Sequence, residues 1–189
     1  MKRAAYLACG ALILLADAPS LFADSGRWSS VAADSELTFS AYYEGEELPG
    51  RFAAFSVTLD IQEETGAPAA LRVEVTTASA DMNDREVNAE IVEPEWFDVQ
   101  AFPAAVFESQ DIEPEGDGFR AKGCLRIKGV EQNLEIPLDW TRESDRGTLT
   151  GSVRLSRLDW QVGTGEWSND ASLADRVDVR WRVTLVPGD

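Results

Sequence analysis

The chain has 189 residues, 17 of them basic and 34 acidic, a formal net charge of −17, and no histidine. That balance argues against nucleic acid and anionic membrane surfaces as partners, since both attract basic proteins. The missing histidine removes the usual general base near neutral pH, every Ser-His-Asp or Cys-His triad, and the commonest metal ligand.

Residues 1–23 read as a secretory signal peptide. Lys2 and Arg3 give a positive start, Ala4 to Ala16 is an apolar run, and small residues with a proline lead to a cleavage site after Ala23. The run is shorter than the ~20 residues that span a bilayer. Leu7-Ala8-Cys9 comes too early to be a lipid-attachment box. The expectation is export to the periplasm without stable membrane insertion, leaving residues 24–189 as one domain. Removing Lys2, Arg3 and Asp17 leaves 15 basic and 33 acidic residues. Cys124 is then the one remaining cysteine, so no intramolecular disulfide can form, and it reads as a small residue in a strand.

From there the chain alternates apolar and polar residues, the period of half-buried strands. The apolar series are Leu37 to Tyr43, Phe55 to Ile61, Leu71 to Val75, Phe119 to Ile127, Leu134 to Trp140, Leu149 to Leu155 and Val177 to Leu185. With 104–109 they make about eight strands. Turn signals separate them at Glu44-Gly45, Thr65-Gly66, Glu115 to Gly118, Lys128-Gly129 and Arg146-Gly147. Short connections favour antiparallel neighbours, and the pattern fits a sandwich or a barrel equally. Val87 and Ile91 stand at helical spacing, which predicts one short helix over 83–92, capped by Asn83 or Asp84 and ended by Pro94. Asp81, Asn83 and Asp84 begin like a calcium loop, but Arg85 stands where a third oxygen ligand belongs, so a helix cap is the better reading.

Four stretches resemble the YceI family of lipocalin-like periplasmic proteins. They are Gly50-Arg51-Phe52 with Phe55; Trp96-Phe97-Asp98-Val99 followed by Phe102-Pro103 and Phe107-Glu108-Ser109; Lys122 to Val130; and Ser156 to Gly163. They keep the family's order from Ser35 to Leu185. The resemblance implies an all-β fold, an eight-stranded antiparallel lipocalin-like barrel with one short helix. It also implies a polyisoprenoid or similar long-chain amphiphile in the pore, and dimers occur among such proteins, so a homodimer is an expectation here. Two departures bear on the ligand's head group: Tyr43 stands where the family often has a histidine, and Arg85 to Ala89 replaces its histidine-containing helix start.

On that basis the expected ligand-binding residues are Phe39, Tyr43, Phe52, Phe55, Val57, Val73, Val75, Trp96, Phe107, Leu125, Ile127 and Trp160. Ala41, Ala121, Gly123 and Gly151 are expected to leave room between the aromatics. Tyr42, Tyr43, Arg85, Trp96 and Trp160 are candidates for the mouth, because amphipathic aromatics suit a boundary between tail and head group. No enzyme motif, metal site or cofactor is expected, beyond a bound polyisoprenoid or quinone as ligand. Glu46-Glu47, Glu113 and Glu115 read as surface carboxylates. The sequence reading is thus a periplasmic carrier of an isoprenoid-type lipid. Its rival is a protein-docking module with a packed barrel and an acidic interaction surface.

Overall fold

Strands with one apolar face must bury it, and here they do so by curling into one closed antiparallel sheet. The computed structural model describes residues 25–169 and 171–188; the expected signal peptide lies outside the described residues. In chain order the strands are β1 (Ser25–Ser30), β2 (Glu36–Tyr43), β3 (Glu46–Phe52), β4 (Phe55–Gln62), β5 (Pro68–Thr76), β6 (Ala80–Asp81), β7 (Ala104–Glu115), β8 (Gly118–Ile127), β9 (Val130–Glu143), β10 (Arg146–Ser156) and β11 (Arg176–Pro187). One helix, α1 (Arg85–Glu90), lies between β6 and β7.

Eight strand paths result, because three paths are interrupted. A 3-10 turn at Ala32–Asp34 breaks the path of β1 and β2, Ala53 and Ala54 break that of β3 and β4, and a 3-10 turn at Thr77–Ser79 breaks that of β5 and β6. β11 closes the ring by pairing with β10 along one edge and dividing the other edge between two strands. Near its start Asp178↔Ser40 to Arg182↔Glu36 join it to β2; near its end Leu185↔Ser30 to Pro187↔Trp28 join it to β1. The remaining neighbours follow one another round the ring, so the eight-stranded closed antiparallel barrel is observed and the sandwich is excluded.

One end of the barrel, the floor, collects the tight turns near residues 64, 116 and 144. The other, the mouth end, carries α1 and the two long segments 82–103 and 157–175. The lumen at the floor is solid. Leu59, Ile61, Leu138, Leu149, Val183 and Leu185 are all fully buried there. Trp28 meets Trp140 edge to face at 5.4 Å, and the Arg142 guanidinium covers Trp28 at 4.9 Å. Trp140 Nε1 donates to Gly66 O at 3.2 Å, which fixes the adjacent turn.

Several sequence expectations need correction. β1 and β3 were not among the expected strands: β1 has Trp28 as its one large apolar residue, and β3 carries Pro49 and Gly50. The helix is shorter than 83–92. Asn83 has a left-handed φ of 56°, so Asp84 is the cap, its Oδ1 accepting from Glu86 N and Val87 N. The helical run stops at Glu90: Ile91 N makes the last helical bond, to Val87 O, and Glu93 N turns to Glu90 O instead. The turn expected at Arg146-Gly147 is at Ser144 and Asp145, while Gly147 lies within β10 beneath the Trp140 ring. Gly123 and Gly151 do not leave empty space either. A Cβ on Gly123 would lie 2.7 Å from the Phe107 ring, and one on Gly151 would run into that of Trp181. The rings therefore nest on the wall at the glycines instead of reaching across the lumen. Ala121, wholly buried, belongs to the floor.

Truncating a floor residue should cost far more than truncating one at the mouth. Leu59→Ala is expected to lose about 2–5 kcal/mol, and Val87→Ala to stay within about 0.5 kcal/mol, both measured by urea unfolding.

Candidate ligand cavity

Above the floor the lumen stays open as a cavity of ≈450 Å³, within the ~300–1,000 Å³ typical of small-molecule sites. Strand alternation builds its wall, each path offering every second side chain. β2 supplies Leu37, Phe39, Ala41 and Tyr43; β5 supplies Leu71, Val73 and Val75; β11 supplies Val177, Val179, Trp181 and Val183. At ~3.3 Å per residue, such a run covers ~20 Å along a strand. The lining is apolar almost throughout, Glu90 and Arg157 being its charged members among the described residues.

The lid is made by the two long segments, which hold each other. Gly163 N and Thr164 N both donate to Glu95 O at 2.9 Å. Glu90 Oε1 accepts from two indoles, Trp96 Nε1 at 3.2 Å and Trp167 Nε1 at 3.0 Å, and the rings lie 5.9 Å apart. Lys128, in the β8–β9 turn, donates to Gln161 O at 2.9 Å; partial burial pushes its pKa down against the opposing pull of Asp98 and Glu95. Arg157 organises the second segment. It is 5% exposed, and its guanidinium donates to five backbone carbonyls: Ala174, Val162, Gly163, Trp167 and Leu173, at 2.6–3.1 Å. Gly163, at φ 71°, lies so close that a Cβ there would approach Arg157 Nη1 to 2.5 Å. The first segment is tied down by Thr77, whose buried Oγ1 donates to Phe102 O at 2.8 Å, and by Asn88, which donates to Asp81 Oδ1 at 3.0 Å.

The mouth itself is marked by exposed apolar residues. Tyr43, Leu48 and Val87 are each 38–39% exposed, and all three line the cavity. Tyr43 and Leu48 flank the β2–β3 hairpin, which Glu44 N and Tyr42 O bond to the second lid segment at Ser172 and Ala174.

All twelve residues expected to meet a ligand line this cavity: Phe39, Tyr43, Phe52, Phe55, Val57, Val73, Val75, Trp96, Phe107, Leu125, Ile127 and Trp160. Of the mouth candidates, Tyr43 and Trp96 belong to the mouth and lid. Trp160 is a buried wall residue whose Nε1 donates to Leu125 O at 3.1 Å. Tyr42 points away: its hydroxyl donates to Asp178 at 2.8 Å and Arg176 covers its ring at 3.8 Å. Arg85 is exposed in the first turn of α1 and does not line the cavity. Sequence reasoning missed Leu48, Val87, Glu90, Arg157 and Trp167 as cavity residues. For Val87 a signal existed, its helical spacing from Ile91; the partnership of Glu90 with two distant indoles has no local signature.

A model of the YceI-like domain matches residues 28–185 of this chain. A UPF0312 protein of Pectobacterium atrosepticum is 25% identical, covering 94% of this chain and 97% of its own. The protein YceI of Salmonella arizonae is 31% identical over 69% of this chain and 73% of its own. Among solved structures, Burkholderia cenocepacia BcnA superposes with a TM-score of 0.77 at 25% identity, covering 82% of this chain and 98% of that one. A polyisoprenoid binding domain from Saccharophagus degradans, implicated in plant cell wall breakdown, superposes with a TM-score of 0.68 at 13% identity, covering 85% and 98%.

Two outcomes follow from the lid. Arg157→Ala leaves several buried carbonyls without a donor and should destabilise the protein by on the order of 3 kcal/mol, with hydrogen-exchange protection lost first at Gly163 and Thr164. The Asp81 carboxyl is held below its ordinary range by the bonds from Asn88 and Asn83 N and then by Arg51. A lowered carboxylate stabilises above its unfolded value and gives that up as pH falls through the folded one. Amide protection of α1 should therefore hold from pH 7 to 5 and drop below about pH 4, a step that Asp81→Asn removes.

Proposed function

Since this chain belongs to the YceI-like family, we propose that it is an exported, periplasmic carrier that sequesters a long apolar amphiphile, a polyisoprenoid or isoprenoid quinone, in its barrel. The observation that carries this reading is the cavity: apolar along its strand walls, closed at the floor, and open between apolar rim residues at the mouth end. Such a shape suits a tail inside and a head group at the mouth. The description of the Saccharophagus degradans neighbour as a polyisoprenoid binding domain supports the same ligand class, and the signal-peptide pattern read in residues 1–23 supports the location.

The energetics favour a long chain. At about 30 Å³ for each water-sized group, 450 Å³ takes roughly fifteen carbons. At about 0.8 kcal/mol per buried CH₂ they contribute ~12 kcal/mol, against association costs of ~4–15 kcal/mol. A short tail falls below most of that range; one that fills the cavity clears most of it. The family and its named neighbours point to binding rather than catalysis, and no residue on the cavity wall needs to change charge for a hydrocarbon to enter.

Native mass spectrometry of the mature protein, purified gently from its own periplasm and followed by organic extraction, tests the proposal. A discrete added mass that extracts as a prenyl lipid or quinone is expected. A clean apo mass, unchanged after incubation with such lipids, overturns it in favour of a protein-docking module. Titration with a prenyl lipid should quench the tryptophans of the cavity, Trp96, Trp160, Trp167 and Trp181, and leave Trp28 and Trp140 at the floor unaffected. Ala105→Trp, which places an indole in the cavity, should weaken binding by about tenfold or more without lowering Tm.

A further inference from the structure

Besides the mouth, the barrel wall has a stretch where two neighbouring paths are not joined by backbone hydrogen bonds. Two neighbouring paths are interrupted at the same height, β1–β2 at residues 31–35 and β3–β4 at Ala53 and Ala54. Toward the mouth, β2 pairs with β3 as far as Thr38↔Arg51. Toward the floor, pairing of β1 with β4 resumes only at Ser29↔Thr58. Between these points no ladder joins the two paths among the described residues. One side-chain bond, Val57 N donating to Ser30 Oγ at 2.9 Å, spans the lower edge.

On the outside this seam is a groove of ≈950 Å³. Exposed Ala32 and Ala33 form one lip and exposed Ala53 and Ala54 the other, and the lining also includes the carboxylates Asp34, Glu36 and Glu74. Its inner boundary is Leu37, Phe52 and Phe55, and those same three residues line the central cavity. A single layer of apolar side chains thus separates the two spaces, with no backbone hydrogen bonding across it to hold it shut. The floor, by contrast, is packed solid.

We propose that this seam is a lateral portal, which receives the far end of a hydrocarbon tail too long for the cavity. The proposal rests on the lipid-carrier reading above. The cavity takes roughly fifteen carbons, about three isoprene units, and its floor gives a longer chain nowhere to go. Displacing Phe52 or Phe55 by a rotamer change would let the chain run out between the alanine lips, over aromatic faces and methyl groups. The Arg51 and Arg182 stems beside it can cover hydrocarbon while their charged heads stay in water. The ligand class that follows is prenyl chains of more than three units, bound in one continuous track from the mouth through the cavity to the seam.

The test is a length series: prenyl alcohols of two to eight isoprene units, titrated by tryptophan quenching into the full mature protein and into Ala54→Trp, which plugs the groove without touching the cavity lining. The wild type should gain at least about tenfold in affinity between three and eight units. Ala54→Trp should match it at two and three units and gain nothing beyond. Ala33→Trp, on the opposite lip, is the second plug if the first fails to fold. A wild type that levels off at three units, or plugged variants that keep its full length dependence, overturns the portal while leaving the carrier standing. Failure of every alcohol to bind wild type overturns both.

Discussion

Closure through β11 is the constraint from which the rest follows. A sheet of eight paths has two free edges, and an unpaired edge of this length invites association with other chains. β11 removes both by giving β10 one side and sharing the other between β1 and β2. The two shares are out of register by three residues: Leu185 pairs with Ser30 whereas Arg182 pairs with Glu36. The surplus is absorbed by the 3-10 turn at Ala32–Asp34. That turn is stitched to β11 by Val31 N donating to Thr184 O, Thr184 Oγ1 to Asp34 O and Thr184 N to Ser35 Oγ. A barrel closed in this way is secure toward β11 and loose toward β4, where the matching interruption at Ala53 and Ala54 leaves the seam.

The same closed wall must be solid at one end and hollow at the other, and the sequence of side chains around it decides which. Leucine, isoleucine and tryptophan meet across the floor, and in the upper half aromatic rings lie back on glycines of neighbouring strands and leave the lumen clear. Gly50 lies against the Phe39 ring and Gly151 against that of Trp181, each a directly paired residue. A side chain at either glycine would push its ring into the lumen. Hollow barrels also need a lid that stays put. Here apolar packing of Ile91, Val92, Trp96 and Phe97 around Phe39 and Phe52 is joined by polar bonds: the Arg157 guanidinium gathers one lid segment by its carbonyls, and Glu90 joins that segment to the other through two indoles. Polar groups in so apolar a place are tolerable because each donor has an acceptor.

Much of this was legible in the chain. Period-2 alternation located the strands that carry large apolar residues, and the order of the motifs chose the barrel where the alternation could not. Two strands escaped for a physical reason: β1 and β3 are held by their neighbours' ladders, not by their own hydrophobicity, and Glu46–Phe52 contains both residues that usually mark a strand's end. The cavity wall was read well because alternation fixes which side of a strand faces in; that rule also placed Phe107, Leu125 and Ile127. Tyr42, the outward neighbour of Tyr43, was misplaced at the mouth because that choice was argued from residue type and not from alternation. The lid was nearly invisible. Arg157 stood within a recognised stretch, yet its five carbonyl partners lie up to seventeen residues away and carry no sequence mark, since carbonyls belong to every residue.

The exterior explains what the large negative charge does. Facing strands from β5 to β9 carry ion pairs in exposed positions: Arg72 with Glu108, Arg120 with Glu115 and Glu135, Lys122 with Glu113, and Arg126 with Glu131. Such pairs contribute little each, ~0–1 kcal/mol, but they occupy the cations and leave carboxylates in excess, which favours solubility more than any particular partner. The interior discriminates better. Side chains around an apolar lumen of ≈450 Å³ forgo the contacts that a filled core would give them, a loss that reaches about 24 cal/mol per Å³ in a sealed void. Water fills an apolar cavity poorly, since it finds too few polar partners there. A barrel serving only to present its outer surface has no reason to bear that cost when larger side chains would remove it. A barrel whose lumen is occupied through most of its life recovers the lost contacts from its ligand and is stabilised in proportion to occupancy. The hollow half is therefore the part of this molecule whose existence most needs a ligand to account for it.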